Sequence, residues 1–577
     1  MSVVRHEVRP GAYYDSVVLM QLQRALAALP GVLDAGVVMA TTANLELLAQ
    51  SKMLPGSLQA HADDLLLVVR AEGDKAAHAA LAQVDELLAR RRPTSEQGFR
   101  PHSLESALRI LPEAGWVLVS VPGRYAAGVA RQALQMDRHV FLYSDNVPLE
   151  EEVALKKAAE VQGLLVMGPD CGTAVVNGVG LGFANRVRRG PIGLVGASGT
   201  GLQAVLARIH NLGGGVSHAL GTGGHDLGAE VGGRTARQAI DLLGRDPQTR
   251  VVVLVSKPPD PQVAGRVLSA ALATDKPTVV AFIGYPPPAR RVGQLHFAAS
   301  LSEAAEMAVE MAGSHGPTGQ PEAPSEEKPV RAVQPDGQAG YLRGLFSGGT
   351  LASETLRGLQ AFLDPLYSNV PLHPRQRLTD SLHSQAHSVL DLGADEFTVG
   401  RLHPMIDNDL RLRRLRQEAA DPQVALILLD VVLGDGAHPD PAAELAPAIA
   451  QARQSGGAEV VVLLIGTDED PQDLDRQRQQ LAEAGAQVFQ DASQALTHVV
   501  QRLAPAPQPP APVPLSSLSE PLAAINVGLE AFYESLIAQG ATAVQMDWRP
   551  PAGGDERLAG ILERLRAKGG SKERHDA

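Results

Sequence analysis

"GLVGASGTGLQ" (residues 193–203) starts as an apolar run, turns through Ala197, Ser198 and Gly199, and continues from Thr200 with helical spacing. A strand that ends in such a corner and passes the chain to a helix is the repeating unit of a doubly wound α/β sheet. The corner leaves the first N–H groups of the helix without intrahelical partners, beside the positive end of the helix dipole. An anion suits that arrangement. The competing reading is that the small residues only let helix and strand pack closely.

The same alternation extends in both directions. Upstream lie WVLVSVPG (116–123), HVFLYSDNVP (139–148) and GLLVMGPD (163–170), separated by the helical stretches 125–136 and 149–161. Downstream come GVSHALGTGG (215–224), RVVVLVSKPP (250–259) and PTVVAFIG (277–284). Strands that are apolar throughout and alternate with helices predict parallel sheets covered on both faces. The first 95 residues read as helix 16–29, strands 31–40 and 63–72, and helix 74–91.

Two linkers interrupt the chain. Residues 314–338 are polar and rich in Pro and Gly, and 504–514 (APAPQPPAPVP) form a Pro/Ala spacer. Between them the plan of the first part recurs. GLFSGGTLASETLRGL (344–359) stands where the opening corner stood, and VALILLDVVLGDG (424–436) parallels RVVVLVSKPP. EVVVLLIGT (459–467) parallels PTVVAFIG, and ASQALTHVVQRL (492–503) parallels LSEAAEMAVEMA (301–312). Two related α/β units in one chain are expected.

Composition narrows the partners. At 577 residues the chain exceeds one hydrophobic core, so about four domains are expected. A net charge of −13 disfavours a phosphate backbone as main ligand, and 3% aromatics argue against base-stacking platforms, so no nucleic acid is expected. Cys171 is the only cysteine, which removes intrachain disulfides and cysteine-based zinc sites. The N-terminus lacks an apolar signal core and no run reaches membrane length, so a cytoplasmic location without membrane attachment is expected.

Candidate sites follow from where strands end. The phosphate-binding candidates are Gly196, Ser198, Gly199 and Thr200 at the first corner, and Ser347, Gly348, Gly349 and Thr350 at the second. Neither fits a Walker loop, because no lysine follows the glycines, and no GxGxxG opens the 116–123 unit, so a dinucleotide is not expected. GTGGHD (221–226) offers His225 and Asp226 as catalytic candidates that orient an acceptor. GPDCGT (168–173) places Asp170 and Cys171 at a strand end, Cys171 being either a nucleophile or a packed side chain. His438, Asp435 and Asp440 lack a recurrent ligand spacing, and no metal is expected.

From MGPDCGTAVVNGVGLGFANRVRRGPIGLVGASGTGLQ (167–203) the chain resembles the FdrA family, itself related to succinyl-CoA synthetase. YSDNVPLEEEVALKKAA, GTGGHDLGAEVGG (221–233), DLGADEFTVGRLHPMID (391–407), LLDVVLGDGAHPDP (428–441), INVGL (525–529) and DWRPPAGGD (547–555) extend the resemblance over nearly the whole chain. It implies an α/β fold: a small α/β N-terminal domain (1–95), a Rossmann-like, CoA-binding-like domain (96–190) and two flavodoxin-like ligase domains. The ligase domains take 191–313 and 339–504, and a docking segment takes 515–577.

In succinyl-CoA synthetase two helix N-termini hold the phosphate of a phosphohistidine, and the two corners here match them. The phosphohistidine loop is missing, since the region reads RRVGQLHFAASL (290–301) and His296 is offset. The CoA-binding glycine turn and an ATP-grasp region are missing as well. The resemblance therefore implies a phosphate-bearing substrate, an acyl or carbamoyl phosphate, with no other cofactor required and CoA doubtful. It also implies carbamoyl transfer between oxamate and phosphate in allantoin breakdown, with companion subunits. A CoA-ligase subunit and a non-catalytic scaffold are the alternatives. The tail, with a helix apolar at Leu529, Phe532, Leu536 and Ile537 and a Trp548–Arg549 turn, is too small for independent stability and is expected to bind the companions.

Overall fold

The computed structural model describes residues 2–10, 16–40, most of 44–90, 101–313 and 340–504 apart from 102, 122, 288, 399 and 400, and 523–527 with 530–546. The linker 314–338, the spacer after 504, and Leu529, Trp548 and Arg549 lie outside the described residues. Residues 1–505 form one compact unit and 506–577 another.

Strands β1 (Val3–Arg9), β2 (Val32–Met39) and β3 (Leu65–Ala71) make an antiparallel sheet in the order β1-β3-β2. Strand β3 is central because both its faces are apolar. Leu65, Leu67 and Val69 meet Leu22 and Leu26 of helix Ser16–Ala27, while Leu66 and Val68 meet Leu48 and Met53. Strand β1 went unforeseen: its VVRHEVR pattern mixes charge into a half-exposed strand and gives no clean alternation.

Next, β4 (Trp116–Val119), β5 (His139–Leu142) and β6 (Val166–Met167) form a parallel sheet with helices Gly123–Gln135 and Leu149–Gln162. A hairpin of β7 (Thr173–Val176) and β8 (Val179–Gly182) then leads into the first doubly wound unit. Its strands are β9 (Arg189–Ala197), β10 (Val216–Gly221), β11 (Val251–Ser256), β12 (Thr278–Phe282), β13 (Arg291–Val292) and β14 (Leu295–Phe297). The parallel part runs β10-β9-β11-β12-β14, the flavodoxin-like order 2-1-3-4-5.

The second unit holds β15 (Tyr341–Phe346), β16 (Leu366–Ser368), β17 (His387–Asp391), β18 (Val424–Val432), β19 (Glu459–Ile465) and β20 (Gln487–Phe489). All are parallel, in the order β16-β17-β15-β18-β19-β20, so the same 2-1-3-4-5 plan recurs with one extra edge strand. The repeat expected from the sequence is present. Helices Gly199–Asn211 and Gly349–Leu359 follow the two first strands and bury Leu202, Val205, Leu206, Leu351 and Leu356 in one continuous core. That shared core fixes the two corners against each other.

The tail contains parallel strands β21 (Ala523–Val527) and β22 (Thr542–Met546) joined through helix Glu530–Ala538. Ile525, Val527, Val544 and Met546 are exposed. No helix among the described residues is long and apolar enough to cross a membrane.

Candidate functional site

Both corners sit at the carboxyl ends of first strands, where the strand order reverses and open α/β sheets collect ligands. They touch. Ser198 Oγ and Thr350 Oγ1 share a hydrogen bond of 2.5 Å, and a Cβ on Gly348 would stand 2.3 Å from Thr200. At the first corner Ser198 caps its own helix, accepting the N–H of Gly201 at 3.0 Å. Gly196 is buried under Leu202, and Gly199 lies beside the Thr173 hydroxyl, itself buried without a partner. Gly199 carries no positive φ, so its backbone does not require glycine.

The second corner differs. Ser347 is tied down, its N–H and Oγ–H donating to Asp430 at 2.8 and 2.7 Å. Gly348 is the N-cap and supplies no side-chain acceptor, so the N-terminus of helix Gly349–Leu359 is left uncapped. A Cβ at Gly349 would fall 2.5 Å from Asp391 Oδ2 and 2.8 Å from Lys257 Nζ. The helix start thus opens on a lysine from the end of β11 and a carboxylate from the end of β17.

More strand ends converge there. Asp391 is 4% exposed, and burial pushes its carboxyl up to about 6 against the pull of Lys257. Asp170, following β6, likewise rises to about 6 through desolvation, opposed by Lys257 and His225. Its side chain is open to solvent although protein surrounds it, as expected of a group lining a cleft rather than a face. Tyr143 after β5 is raised by burial and then by Asp145 and Asp170. His403 falls to about 4, chiefly through burial and then through Arg411 and Lys257, so it is neutral at pH 7. Among the described residues Lys257 has neither an ion pair nor a hydrogen bond from its ammonium. Sequence reasoning passed over Lys257 and Asp391 and met His403 only as part of HPMID (403–407), where an imidazole and a carboxylate come together. The available signal was SKPP at the end of the strand beside the switch point.

His225 and Asp226 part company. Lys156, fully buried, donates to Asp226 Oδ1 at 2.9 Å and to the Thr222 carbonyl at 2.8 Å, and pairs with Glu152 at 2.9 Å. Asp226 also accepts the N–H groups of Thr235 and Ala236 at 3.3 and 2.9 Å, at the start of helix Arg234–Arg245. Burial opposes the charge of Lys156, and the two carboxylates outweigh it. Asp226 therefore braces the loop after β10 and is closed to solvent, with no free oxygen for an acceptor. His225 is exposed. Its hydrogen bond with Glu152 (3.2 Å) raises its pKa, with Asp170 and Asp395 adding to the effect.

The remaining sequence candidates are engaged elsewhere. Burial pushes the Cys171 thiol up to about 12 and its Sγ faces the Thr173 carbonyl, which favours the packing reading over a nucleophile. Asp435 pairs with Arg186, Asp440 caps helix Pro441–Gly456, and His438 contacts Arg24 and Glu444. Among the described residues no group of three or more His, Cys, Asp or Glu is placed to hold a metal ion. His296 lies on β14 level with Val279, near the amino end of β12, away from the strand ends that form the cleft.

Comparison with known proteins agrees with this architecture. Residues 345–501 match a family model described as CoA-ligase, 187–284 one described as CoA binding domain, and 1–103 one described as AllF, heavy metal-associated domain. Residues 1–103 contain no cysteine, so soft thiolate ligands for a heavy metal are absent from that segment. The chain is 42% identical over 491 residues to the uncharacterized protein YahF of Escherichia coli, covering 84% of this chain and 95% of YahF. Succinate–CoA ligase (ADP-forming) subunit alpha-2 of Trichomonas vaginalis is 28% identical over 189 residues, 31% of this chain and 59% of that subunit. The solved structure of PH0766 from Pyrococcus horikoshii aligns with a TM-score of 0.30 at 13% identity, over 67% of this chain and 83% of that one. The paired doubly wound units and the extent of the match to YahF place the chain in the FdrA family, whose members are acyl-CoA-synthetase and succinate–CoA-ligase-like proteins.

Proposed function

We propose that the chain is a subunit of a transferase that handles a carbamoyl or acyl phosphate, with the phosphate held in the cleft between Lys257 and the start of helix Gly349–Leu359. The observation that carries this reading is Lys257, a partly buried ammonium without a partner among the described residues, beside an uncapped helix N-terminus. A helix end and a lysine together supply the donors and the positive potential that stabilise a phosphate leaving group. The first corner adds the dipole of helix Gly199–Asn211, and exposed His225 is assigned the role of orienting the acceptor. The matched AllF-type segment favours the carbamoyl substrate and the allantoin setting implied by the resemblance.

The residues fit CoA poorly at the turn after β4. A Cβ on Gly123 would meet the Asp145 carbonyl oxygen at 2.2 Å and that of Asn146 at 2.5 Å, so the backbone of 145–146 already fills the space against that glycine. No step is therefore assigned to CoA. The CoA-ligase match keeps a ligase subunit as the second reading. Calorimetry of the full chain with inorganic phosphate, followed by carbamoyl-phosphate turnover with companion subunits, tests the first reading. Absence of phosphate binding would defeat it, and a phosphoenzyme seen by mass spectrometry after incubation with ATP would establish the second. Companion subunits are proposed to bind the tail, whose parallel strands expose an apolar face that parallel sheets ordinarily bury.

A further inference from the structure

The N-terminal domain keeps its core to itself. Its two apolar clusters, on the two faces of β3, draw only on residues 4–88. No described residue before 104 enters the clusters of the other sheets, whereas the two doubly wound units share one core. What joins the domain to the second unit is polar. Asp34 on β2 accepts from Nη1 and Nη2 of Arg413 at 3.5 Å each, and Asn44 Oδ1 accepts from Arg401 Nε. Arg24 of helix Ser16–Ala27 places its Nη2 2.8 Å from Glu444 Oε1 and 2.8 Å from His438 Nε2. A domain held by ion pairs and hydrogen bonds, without a shared apolar core, is docked rather than fused.

These contacts converge on one loop. Arg401 opens the segment 401–409, and Arg413 holds its last residue, pairing with Asp409 at 3.0 Å. Glu444 accepts from Asn408 Nδ2 at 3.1 Å, and the His438 N–H donates to the Met405 carbonyl at 2.8 Å. Arg24, Asp34 and Asn44 thus each hold the loop directly or through one residue. Inside it His403 packs on Phe183, with ring centroids 5.4 Å apart. Its Nε2 would stand 2.8 Å from a Cβ at Gly393, a glycine that also borders Ser347 and Asp391. We infer that the N-terminal domain is a clasp on the loop 401–409. Docked through Arg24, Asp34 and Asn44, it positions His403 at the strand ends of the second unit, and undocking releases that ring. The clasp goes beyond the anion reading, and a cleft that failed to bind phosphate would leave it standing.

Hydrogen exchange of the full chain, read by mass spectrometry, tests it with the double variant Arg24→Ala/Asp34→Ala. Both side chains are partly exposed and lie outside the domain's core, so the domain should keep its fold. The amides of 401–409 should exchange about tenfold faster than in the wild type, while those of β15 and β18 stay within about twofold. His403 gives a second readout by nuclear magnetic resonance, its imidazole signal being identified by its loss in His403→Gln. Burial, Arg411 and Lys257 lower the wild-type ring to about 4, so it is neutral at pH 5.5. Released, it should return towards its ordinary value of about 6.5 and be mostly protonated at that pH. Unchanged exchange at 401–409 overturns the clasp. Acceleration spread equally over β15 and β18 also overturns it, because the domain would then be a general prop. A faster loop around an unmoved His403 removes the reach to the cleft. Should β3 itself lose protection, the loop must open with it, and a loop that stays closed beside an open domain would defeat the clasp outright.

Discussion

The two doubly wound units share one strand order, yet their corners serve different ends. In the first, the helix is capped by Ser198 and the loop after the second strand is anchored by the Lys156–Asp226–Glu152 cluster. Its polar groups are spent on holding backbone. In the second, the cap position is a glycine, Ser347 turns away to Asp430, and the nearby Lys257 and Asp391 Oδ2 are left open. The two units repeat one geometry, and local chemistry made one corner a brace and left polar groups open at the other.

The difference is best broken at its base. Lys156→Ala would leave two carboxylates, Glu152 and Asp226, buried without their cation. Such a loss costs about 3–5 kcal/mol, so denaturant unfolding should show a large fall in stability. A change below about 1 kcal/mol would mean that the brace is not structural. Lys257→Met probes the other corner. Stability should change little, because the ammonium has no partner among the described residues to lose. Phosphate affinity should fall about tenfold to a hundredfold, the range of a hydrogen bond to a charged group. Should both variants affect stability alike, the contrast collapses.

A matched pair of small substitutions sharpens it further. Gly199→Ala places its Cβ 3.5 Å from Thr173 Oγ1, an ordinary contact, and should leave phosphate affinity within about twofold. Gly349→Ala pushes a methyl into Asp391 and Lys257, whose flexible ends shift, and should weaken phosphate binding about tenfold without unfolding the chain. A further effect, smaller than that of Gly349→Ala, concerns pH. Asp391 and Asp170 have pKa values raised by burial to about 6, so both are largely ionised at pH 7.5 and largely protonated at pH 5. Protonation removes negative charge beside the anion site. Sulfate, whose own charge is constant over this range, should therefore bind several-fold more tightly at pH 5 than at pH 7.5. Asp391→Asn should flatten that profile.

The doubly wound plan was open to reading because its information is local. A run such as VVVLVS (251–256) and the small-residue corners at 196–201 and 347–350 announce buried parallel strands and βα turns within a dozen residues. The convergence of Lys257, Asp391 and Asp170 was not open to reading, since these residues lie on three strand ends and more than a hundred positions separate Asp391 from the others. Asp226 misled for a related reason. An aspartate in a glycine-rich loop looks free until Lys156, seventy positions upstream, is brought against it. The tail helix was legible, whereas β21 was not, because AAINV is short and carries Asn526.

The contact between Thr200 and Gly348 carries a consequence for descent. Once two copies of a fold are fused so that one corner rests on the other, positions 200 and 348 stop evolving independently. A side chain at 348 would overlap Thr200, with a Cβ only 2.3 Å from its γ atoms. Their combined volume is therefore the quantity under selection. Across relatives of this chain the two positions should covary in size, glycine at 348 accompanying a branched residue at 200, and alanine at 348 appearing only where 200 has shrunk.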